Sequence, residues 1–315
     1  MSEPRFLVTG AHGCVGAWVV HELLAAGRPV ATFDLSTDPR RLRLLLGDRA
    51  AEVAHVAGDI THLAALERAI DDHGVTNVIH LAALQVPLVR ADPALGARVN
   101  VLGTVNVFEA ATRRPLAPVV YASSIAAYDP DGTMRGHPGT LYGVFKRANE
   151  ATAAVYHAEA GVSSVGLRPH TVYGVGRDQG VTAAPTLAML AAAAGTAYTI
   201  PYGGVGELQL ARDVARAFIE ASLAGPEGAS VHNLPGRGVP IRDVVAAIVD
   251  AVPGATVSCT DTTLPFPGEV DGASFASLVP GFVETPLAEG VRTTIDRFRE
   301  LLEFGVVTPP TETGA

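Results

Sequence analysis

Short apolar runs alternate with helical patterns along the first half of the chain, and this alternation constrains the fold more than any other feature. The apolar runs read as strands: RFLVTG, PVATFD, VTNVIHLAA, PVVYASS and SSVGLRP. The stretches between them have helical periodicity: CVGAWVVHELLAAG, LAALERAIDDHG, ALGARVNVLGTVNVFEAATRR and LYGVFKRANEATAAVYHAEAG. Strands that are apolar throughout and joined by helices are typical of a parallel sheet covered on both faces. The sequence therefore predicts an α/β fold with a Rossmann-type doubly wound parallel sheet.

The rhythm changes after Pro169, where loop-rich sequence begins. VHNLPG still resembles a late strand of the core sheet, and VPIRDVVAAIVDAVPG resembles a helix. The polar, Pro-rich end VVTPPTETGA is expected to be frayed. We therefore expect two parts: a Rossmann domain of residues 1–169 plus about 207–236, and a smaller C-terminal substrate-covering part of about 170–206 and 237–315.

Composition disfavours several classes of protein. The net charge is −9 without a basic run, so neither nucleic acid nor an anionic membrane surface is an expected partner. Cys14 and Cys259 stand far apart, which suggests neither a disulfide framework nor a zinc site, and the histidines show no metal-binding spacing. No signal peptide and no apolar stretch long enough to span a membrane is evident. We expect a cytoplasmic protein with a small-molecule partner and no metal.

The stretch TGAHGCVG lies where the first strand meets the first helix. Gly10 would permit the turn, Gly13 the approach of a pyrophosphate, and Gly16 close packing of the helix. The alternative to a dinucleotide-binding turn is an ordinary tight turn between a strand and a helix. Asp34 favours dinucleotide binding, because it is an acidic residue at the end of the next strand, 18 residues after Gly16. Its carboxylate would accept the ribose hydroxyls and repel a 2′-phosphate, so the pattern predicts NAD rather than NADP. The opposing feature is a group of arginines beyond the strand, which we interpret as a solvated helix face: Arg40, Arg41 and Arg43.

Three further residues have the chemistry of a redox site. Ser124 ends the strand VVYASS, and Tyr142 and Lys146 share one face of the following helix. A phenol ionises near pH 10, so Tyr142 needs a neighbouring positive charge, which Lys146 could supply. Ser124 would hydrogen-bond the substrate oxygen while Tyr142 takes or returns its proton, as hydride passes to or from a nicotinamide. A lone Y-x-x-x-K is more often a helix surface, but here it accompanies the glycine motif.

Together these motifs resemble the extended, NAD-dependent epimerase/dehydratase type of the short-chain dehydrogenase/reductase superfamily. TGxxGxxG, GDI at residues 58–60, HLAA at 80–83 and RVNVLGTVNVFEAA follow the family's order over most of the chain. The resemblance implies Ser-Tyr-Lys catalysis with NAD. It also implies these cofactor contacts: Gly10, Gly13, Cys14, Val15, Gly16, Asp34, Asp59, Ile60, Leu81, Ala82, Ala83, Asn100, Tyr142, Lys146, Pro169 and His170.

Departures from the family's pattern reduce the range of expected substrates and reactions. Ile125 and Ala126 stand where 4,6-dehydratases carry an Asp-Glu pair, so elimination of water is not expected. Thr171 replaces the Asn of an R-x-x-N motif, and Gly206 replaces an arginine that grips a diphosphate in many nucleotide-sugar epimerases. A charged hydrogen bond of that kind is worth about 1.5–3 kcal/mol. A UDP-sugar is therefore disfavoured, and free UDP is expected to bind poorly.

Other side chains are candidates for the substrate. Arg177 could bind a carboxylate bidentately or could pair with Asp178 in its own loop, and both interpretations stay open. His170 is expected to form a wall of the nicotinamide site rather than a base, because Tyr142 already fills that role. The predicted substrate contacts are Gln85, Ser124, Thr171, Tyr173 and Arg177.

Two enzymatic functions remain open. One is a sugar epimerase that keeps NAD bound and returns hydride to the other face of the carbon. The other is an NAD-dependent dehydrogenase of a small polyol, sugar acid or other secondary alcohol, which releases NADH. A regulatory protein without turnover is disfavoured by the intact Ser124, Tyr142 and Lys146, and the resemblance favours the epimerase. It also implies a homodimer through the helices at about 94–112 and 141–160, unless both faces are buried within one chain.

Overall fold

The computed structural model describes residues 3–310 of the 315-residue chain. Its strands are β1 (Phe6–Thr9), β2 (Val30–Asp34), β3 (Ala54–Ala57), β4 (Asn77–His80), β5 (Val119–Ala122), β6 (Ser164–Arg168), β7 (Thr171–Tyr173), β8 (Tyr198–Ile200), β9 (Val205–Leu210), β10 (Ala229–Asn233), β11 (Gly238–Pro240) and β12 (Val257–Cys259). Its helices are α1 (Cys14–Ala25), α2 (Arg40–Leu46), α3 (Leu63–Asp72), α4 (Val86–Ala91), α5 (Pro93–Ala97), α6 (Gly103–Thr112), α7 (Leu141–Ala160), α8 (Ala184–Ala194), α9 (Ala211–Ala224), α10 (Ile241–Ala251), α11 (Ala273–Leu278) and α12 (Leu287–Glu303).

Seven parallel strands form the central sheet, in the order β10-β6-β5-β4-β1-β2-β3. The chain runs outward from β1 to β3 on one side and from β4 to β10 on the other. The order therefore reverses between β1 and β4. In such sheets ligands bind at the carboxyl ends of the strands beside this reversal point. The predicted α/β fold with a doubly wound Rossmann-type sheet is confirmed.

Each face of the sheet is covered by helices because the strands are apolar on both sides. Phe6 and Val8 of β1 join a buried cluster with α1 and α9. Leu7, between them, points the other way into a cluster with α3, α6 and α7. This alternation follows from the two-residue period of a strand. A strand buried on both faces consists mostly of apolar residues, which is why the sequence pattern was easy to recognise.

The structure differs from the sequence interpretation at two places. β3 was not predicted, because its sequence AHVA lies at the sheet edge, is largely exposed and lacks an apolar run. The helix expected to be continuous over about 94–112 consists of α5, a π-helical turn at Arg98–Leu102, and α6. A π turn of this kind often marks a functional position, and here it contains Asn100.

The later part of the chain divides between two regions. β10 pairs with β6, and α9 packs on α1, so both belong to the central layers. α8, α10 and α12 enclose a second core with β8, and two small sheets, β11-β9-β7 and β12-β8, lie beside it. The expected boundaries of the two parts stay a prediction. Residues 311–315, in the tail expected to be frayed, lie outside the described residues.

Within residues 3–310 there is no helix whose length and apolar character would allow it to cross a membrane.

Candidate active site

The glycine-rich turn between β1 and α1 is packed tightly against the segment that follows β4. Gly10 has φ +68°, and a Cβ on it would lie 2.6 Å from the backbone nitrogen of Ala82. A Cβ on Gly16 would overlap the carbonyl oxygen of Gly10. Gly13 is the N-cap of α1, and no side chain caps the first turn, which contains Cys14 and Val15. The N–H groups of this turn therefore remain available for an anion such as a pyrophosphate.

Asp34 lies at the end of β2, beside this turn. Its Oδ2 accepts a hydrogen bond from the backbone N–H of His12 at 2.9 Å, and its Oδ1 accepts one from Ser36 at 2.9 Å. These bonds hold the half-buried carboxylate at the edge of the sheet and leave lone pairs for a ribose diol. The tight turn, the uncapped helix and the placed carboxylate fit NAD.

Asp34→Ala is expected to weaken NAD binding about 10- to 100-fold, because a charged hydrogen-bond acceptor is lost. Discrimination against NADP should also relax, because the group that repels a 2′-phosphate is gone. Calorimetry with both cofactors measures this. Asp72→Ala, at an exposed carboxylate on α3, serves as control. Unchanged affinities for both cofactors would exclude Asp34 from the ribose site.

Ser124, Tyr142 and Lys146 come together where β5 ends and α7 begins. Lys146 Nζ donates to the carbonyl of Ala122 at 2.7 Å and lies 5.6 Å from the centroid of the Tyr142 ring. The Ser124 hydroxyl lies close enough to the Tyr142 phenol to lower its pKa, and its Oγ accepts from the N–H of Ala126 at 3.1 Å. The spatial cluster that the sequence motifs suggested is thus present, with all three polar groups adjacent.

The charges of this cluster favour a proton on each of Tyr142 and Lys146 at neutral pH. Burial raises the pKa of Tyr142, while the Ser124 hydrogen bond and the positive charge of Arg177 lower it in part. Burial lowers the pKa of Lys146 to about 8, against the opposing effect of Glu150. Below pH 8 the ammonium therefore stays mostly charged beside the phenol. Tyr142 needs a further positive charge before it can act as a base.

A buried histidine holds the segment that follows β4. His80 lies between the hydroxyls of Thr9 and Thr104, with its nitrogens 2.7 and 3.1 Å from their Oγ1 atoms. Burial lowers its pKa to about 3, so the imidazole is neutral. Thr9 Oγ1 also accepts from the N–H groups of Leu81 and Ala82, each at 3.3 Å. Sequence reasoning did not identify the two threonines, because lone hydroxyls in apolar runs give no distinctive signal.

The side-chain amide of Asn100 is hydrogen-bonded to the backbone of Leu84. Its Oδ1 accepts from the N–H of Leu84 at 2.7 Å, and its Nδ2 donates to the Leu84 carbonyl at 2.9 Å. Asn149 on α7 donates to the Asn100 carbonyl at 2.8 Å, within the π-helical turn. The structure therefore places Asn100 as a clamp on the loop after β4. Its predicted contact with the cofactor stays a prediction.

The other predicted cofactor positions follow strands at the same sheet edge. Asp59 and Ile60 come after β3, where Asp59 Oδ1 accepts from the N–H of Thr61 at 2.8 Å and the Ile60 carbonyl accepts from Asn106 at 2.9 Å. Pro169 follows β6, and its carbonyl accepts from Ile125 at 3.0 Å. Ala83 is half-buried after β4. These roles stay predictions.

Both nitrogens of His170 are engaged. Its Nδ1 accepts from the N–H of Thr171 at 2.9 Å, so Nε2 carries the proton and donates to the Pro267 carbonyl at 2.7 Å. Burial lowers the pKa of this imidazole, which keeps it neutral. Its ring nitrogens anchor the segment at Pro267 and leave no lone pair for a base. Thr171 is buried beneath it, with Oγ1 3.3 Å from Nδ1.

The predicted substrate contact is wrong for Tyr173. Its side chain is 1% exposed and belongs to the core between α8, α10 and α12. Its hydroxyl lies against Gly290 of α12, where a Cβ would overlap it. Burial raises its pKa. The motif placed Tyr173 at the correct strand end, but the alternation of β7 turns the ring towards the second core.

Asp178 pairs with α2 rather than with its neighbour Arg177. Its carboxylate accepts from Arg40 Nη2 at 2.7 Å and from Arg41 Nη2 at 2.6 Å. The interpretation of a solvated face is therefore wrong for Arg41, whose side chain is only 17% exposed, whereas Arg43 is exposed. Arg177 instead donates to Thr182 Oγ1 at 2.7 Å and to Gln85 Oε1 at 3.4 Å. The expected alternative of an Arg177–Asp178 pair is also wrong.

Comparison with known proteins decides the family. The model of the NAD dependent epimerase/dehydratase family matches residues 6–232. The chain belongs to this family. A UDP-glucose 4-epimerase from Mycolicibacterium smegmatis is 30% identical over 94% of the chain and 98% of its own length. Among solved structures, UDP-glucose 4-epimerase from Thermus thermophilus in complex with NAD is 28% identical, with 94% of this chain and 99% of that chain covered and a TM-score of 0.76.

A second kind of enzyme shares the fold. The GalE-like L-threonine dehydrogenase from Cupriavidus necator has a TM-score of 0.79 over 95% of this chain and 100% of that chain, at 24% identity. At this identity the likeness concerns the fold alone. The family confirms the predicted class, an NAD-dependent enzyme of the extended short-chain dehydrogenase/reductase type, and NAD as its cofactor. Within residues 3–310 no group of metal-ligating side chains is arranged to hold a metal ion.

Proposed function

We propose that the protein is an NAD-dependent epimerase acting at a secondary alcohol carbon of a sugar or sugar-like substrate. The observation that carries the proposal is the meeting of Ser124, Tyr142 and Lys146 at the sheet edge that also holds the glycine turn and Asp34. NAD, when bound at that edge, supplies the acceptor for hydride and a positive charge near the phenol. Family membership supports the same chemistry.

Each of the three residues has a distinct role in this proposal. The Ser124 hydroxyl, which lies beside the Tyr142 phenol, orients the substrate oxygen. Once ionised to the phenolate, Tyr142 would accept the proton of that oxygen as the alcohol becomes a ketone, and would return it in the reverse step. Lys146, held by the Ala122 carbonyl, stabilises the phenolate with its charge. Above pH 8 Lys146 would lose its charge and would stabilise the phenolate less.

The alternative is a dehydrogenase that uses the same residues and releases NADH. The two functions differ in cofactor residence and in rotation of the ketone, neither of which is set by the catalytic groups. Incubation of the purified protein with candidate sugars, with and without added NAD, separates them through NADH absorbance. Stoichiometric bound NAD with exchange of stereoisomers and no net reduction supports the epimerase. Accumulation of NADH together with a ketone or lactone would overturn it in favour of the dehydrogenase.

A substrate that carries a nucleoside diphosphate group is disfavoured. The relatives named above act on UDP-glucose, but the position at which the family's arginine meets a diphosphate is Gly206 here. A Cβ at Gly206 would face Ile241 and His170, at 3.9 and 4.0 Å, and neither carries a charge in this setting. We therefore propose a compact polar substrate held by contacts other than a diphosphate clamp.

We also propose a homodimer. Half of the large apolar side chains that are exposed in residues 3–310 lie on one group of helices, which we call the α4–α7 face. Its members are Val86, Leu88, Leu95, Leu102, Leu141, Val144 and Val155. Exposed apolar side chains concentrated on neighbouring helices are typical of an interface between subunits. α4 enlarges the surface that α5, α6 and α7 were expected to provide.

Leu102→Asp is expected to weaken the dimer at least tenfold, because a charge would be buried against apolar surface, about 1.4 kcal/mol or more. Light scattering at micromolar protein should give twice the mass of one chain for the wild type and a lower mass for the variant. Phe304→Asp is the matched control, since Phe304 is 77% exposed outside this face. A wild type with the mass of one chain would refute the dimer.

The proposed location is the cytoplasm. Cys14 and Cys259 are both unpaired, and free thiols are typical of a reducing compartment. Fractionation of the native host with antibodies would test this directly.

A further inference from the structure

Arg177 carries a positive charge in the candidate active site and has no ion-pair partner within residues 3–310. We propose that Arg177, together with Gln85 and Thr182, forms a subsite for an anionic group on the substrate, and that this group is a carboxylate. The inference rests on the proposed function, since it names the class of substrate for the same site. It extends the sequence analysis, in which pairing with Asp178 remained an equal alternative.

The lack of a counter-ion is a result of the tertiary structure. Asp178, the nearest acidic residue in the chain, accepts three hydrogen bonds from two other arginines: one from Arg40, at 2.7 Å, and two from Arg41, at 2.6 and 3.1 Å. The partners of Arg177 are neutral oxygens, Thr182 Oγ1 and Gln85 Oε1. Its Nε is buried and has no partner. A guanidinium held this way keeps its charge for a ligand.

The subsite adjoins the catalytic residues. Gln85 directly follows the segment at 81–84 that the Thr9 and Asn100 bonds hold in place. The positive charge of Arg177 opposes the burial that raises the pKa of Tyr142, which places the guanidinium within electrostatic reach of the phenol. It acts in the same way on Tyr202, whose buried hydroxyl has no partner. A substrate anion at Arg177 would therefore lie within electrostatic reach of Tyr142.

Backbone geometry keeps this subsite narrow. Gly180 has φ +85°, and a Cβ there would lie 2.8 Å from Gln85 Oε1 and 3.7 Å from Arg177 Nη2. The turn at Val181–Ala183 then presents Thr182 to the guanidinium. Because the backbone at Gly180 passes so close to Gln85 and Arg177, the orientation of the planar guanidinium is restricted. A planar carboxylate, which can accept two parallel hydrogen bonds, suits such a group.

Two other anions could use the same charge, namely the pyrophosphate of NAD and the diphosphate of a nucleotide sugar. The first is disfavoured because the uncapped first turn of α1 already offers backbone N–H groups. The second is disfavoured because the position of the family's diphosphate arginine, Gly206, lies on β9 rather than in this loop. The charge of Arg177 lowers the pKa of the Cys14 thiol at the start of α1, against the larger effect of burial. The experiment must therefore distinguish a substrate carboxylate from the pyrophosphate of NAD and from the diphosphate of a nucleotide sugar.

Calorimetry on the NAD-loaded protein provides the test. The probes are D-galacturonate, D-erythronate and glycolate, each paired with its neutral counterpart, D-galactose, erythritol or ethylene glycol, and UDP is measured beside them. At least one acid should bind tenfold or more tightly than its counterpart, and UDP should bind poorly. Arg177→Gln should reduce the affinity for that acid about 10- to 100-fold. Arg90→Gln, at an exposed arginine on α4, should leave it unchanged.

Three outcomes would overturn the proposal. One is the absence of any preference for acids in the wild type, or its persistence in Arg177→Gln. Another is a tenfold loss of NAD affinity in Arg177→Gln, which would assign the residue to the pyrophosphate. The third is micromolar UDP binding that depends on Arg177. Tyr142→Phe should retain the preference for the acid, so failure of the proposed catalysis and failure of the subsite give different results.

Discussion

Tyr142→Phe is expected to lose about 10²- to 10⁴-fold of turnover while keeping the fold and NAD affinity, because it removes a general acid/base and only one oxygen atom. The Tyr142 ring stays available to pack near Lys146, whose Nζ lies 5.6 Å from its centroid. Bound NAD is measured by calorimetry, the fold by thermal unfolding, and turnover by exchange of stereoisomers or formation of NADH. The assay should run below pH 8, where Lys146 keeps its charge.

Tyr156→Phe on the same helix is the matched control. Tyr156 donates to Glu109 Oε1 at 2.7 Å, away from Ser124. Its loss should cost about 1.5–3 kcal/mol of stability, as for a hydrogen bond to a charged group, and leave turnover unchanged. If Tyr142→Phe retained turnover within a few-fold of the wild type, Tyr142 would not be the base.

Gly10→Ala is expected to destabilise the protein and to reduce NAD affinity about tenfold or more, equal to at least about 1.4 kcal/mol. Gly10 has φ +68°, which costs an alanine roughly 1–2 kcal/mol. The added Cβ would also lie 2.6 Å from the backbone nitrogen of Ala82, and relief of such a contact costs about 1–3 kcal/mol more. Denaturant unfolding and NAD calorimetry measure the two effects.

Gly27→Ala separates these contributions. Gly27 also has φ +68°, but a Cβ on it would have no atom within 4 Å. It should therefore show only the backbone cost and bind NAD normally. Equal loss of stability in both variants, with NAD binding intact in Gly10→Ala, would show that the close approach to Ala82 has no role in the cofactor site.

The features of this molecule that could be predicted from sequence are those that depend on residues close together in the chain, such as apolar runs and short motifs. The parallel sheet followed from strands such as β1 and β4, which are buried at every position and are rich in large apolar residues. The glycine turn and the Tyr142–Lys146 pair were recognised because each depends on fixed spacing along a short segment. β3 was missed because an exposed edge strand needs no apolar run.

The sequence by itself therefore determined the fold class, the family and the cofactor, and it predicted that Ser124, Tyr142 and Lys146 lie together, since local periodicity and short motifs carry this information. Only the tertiary structure decided how polar side chains pair, because their partners are distant in the chain. Asp178 binds Arg40 and Arg41, 138 and 137 residues away. Tyr173 turns into the second core, and Asn100 clamps Leu84. Hydrogen bonds and ion pairs depend on distances of about 3 Å between such groups, which no spacing along the chain specifies.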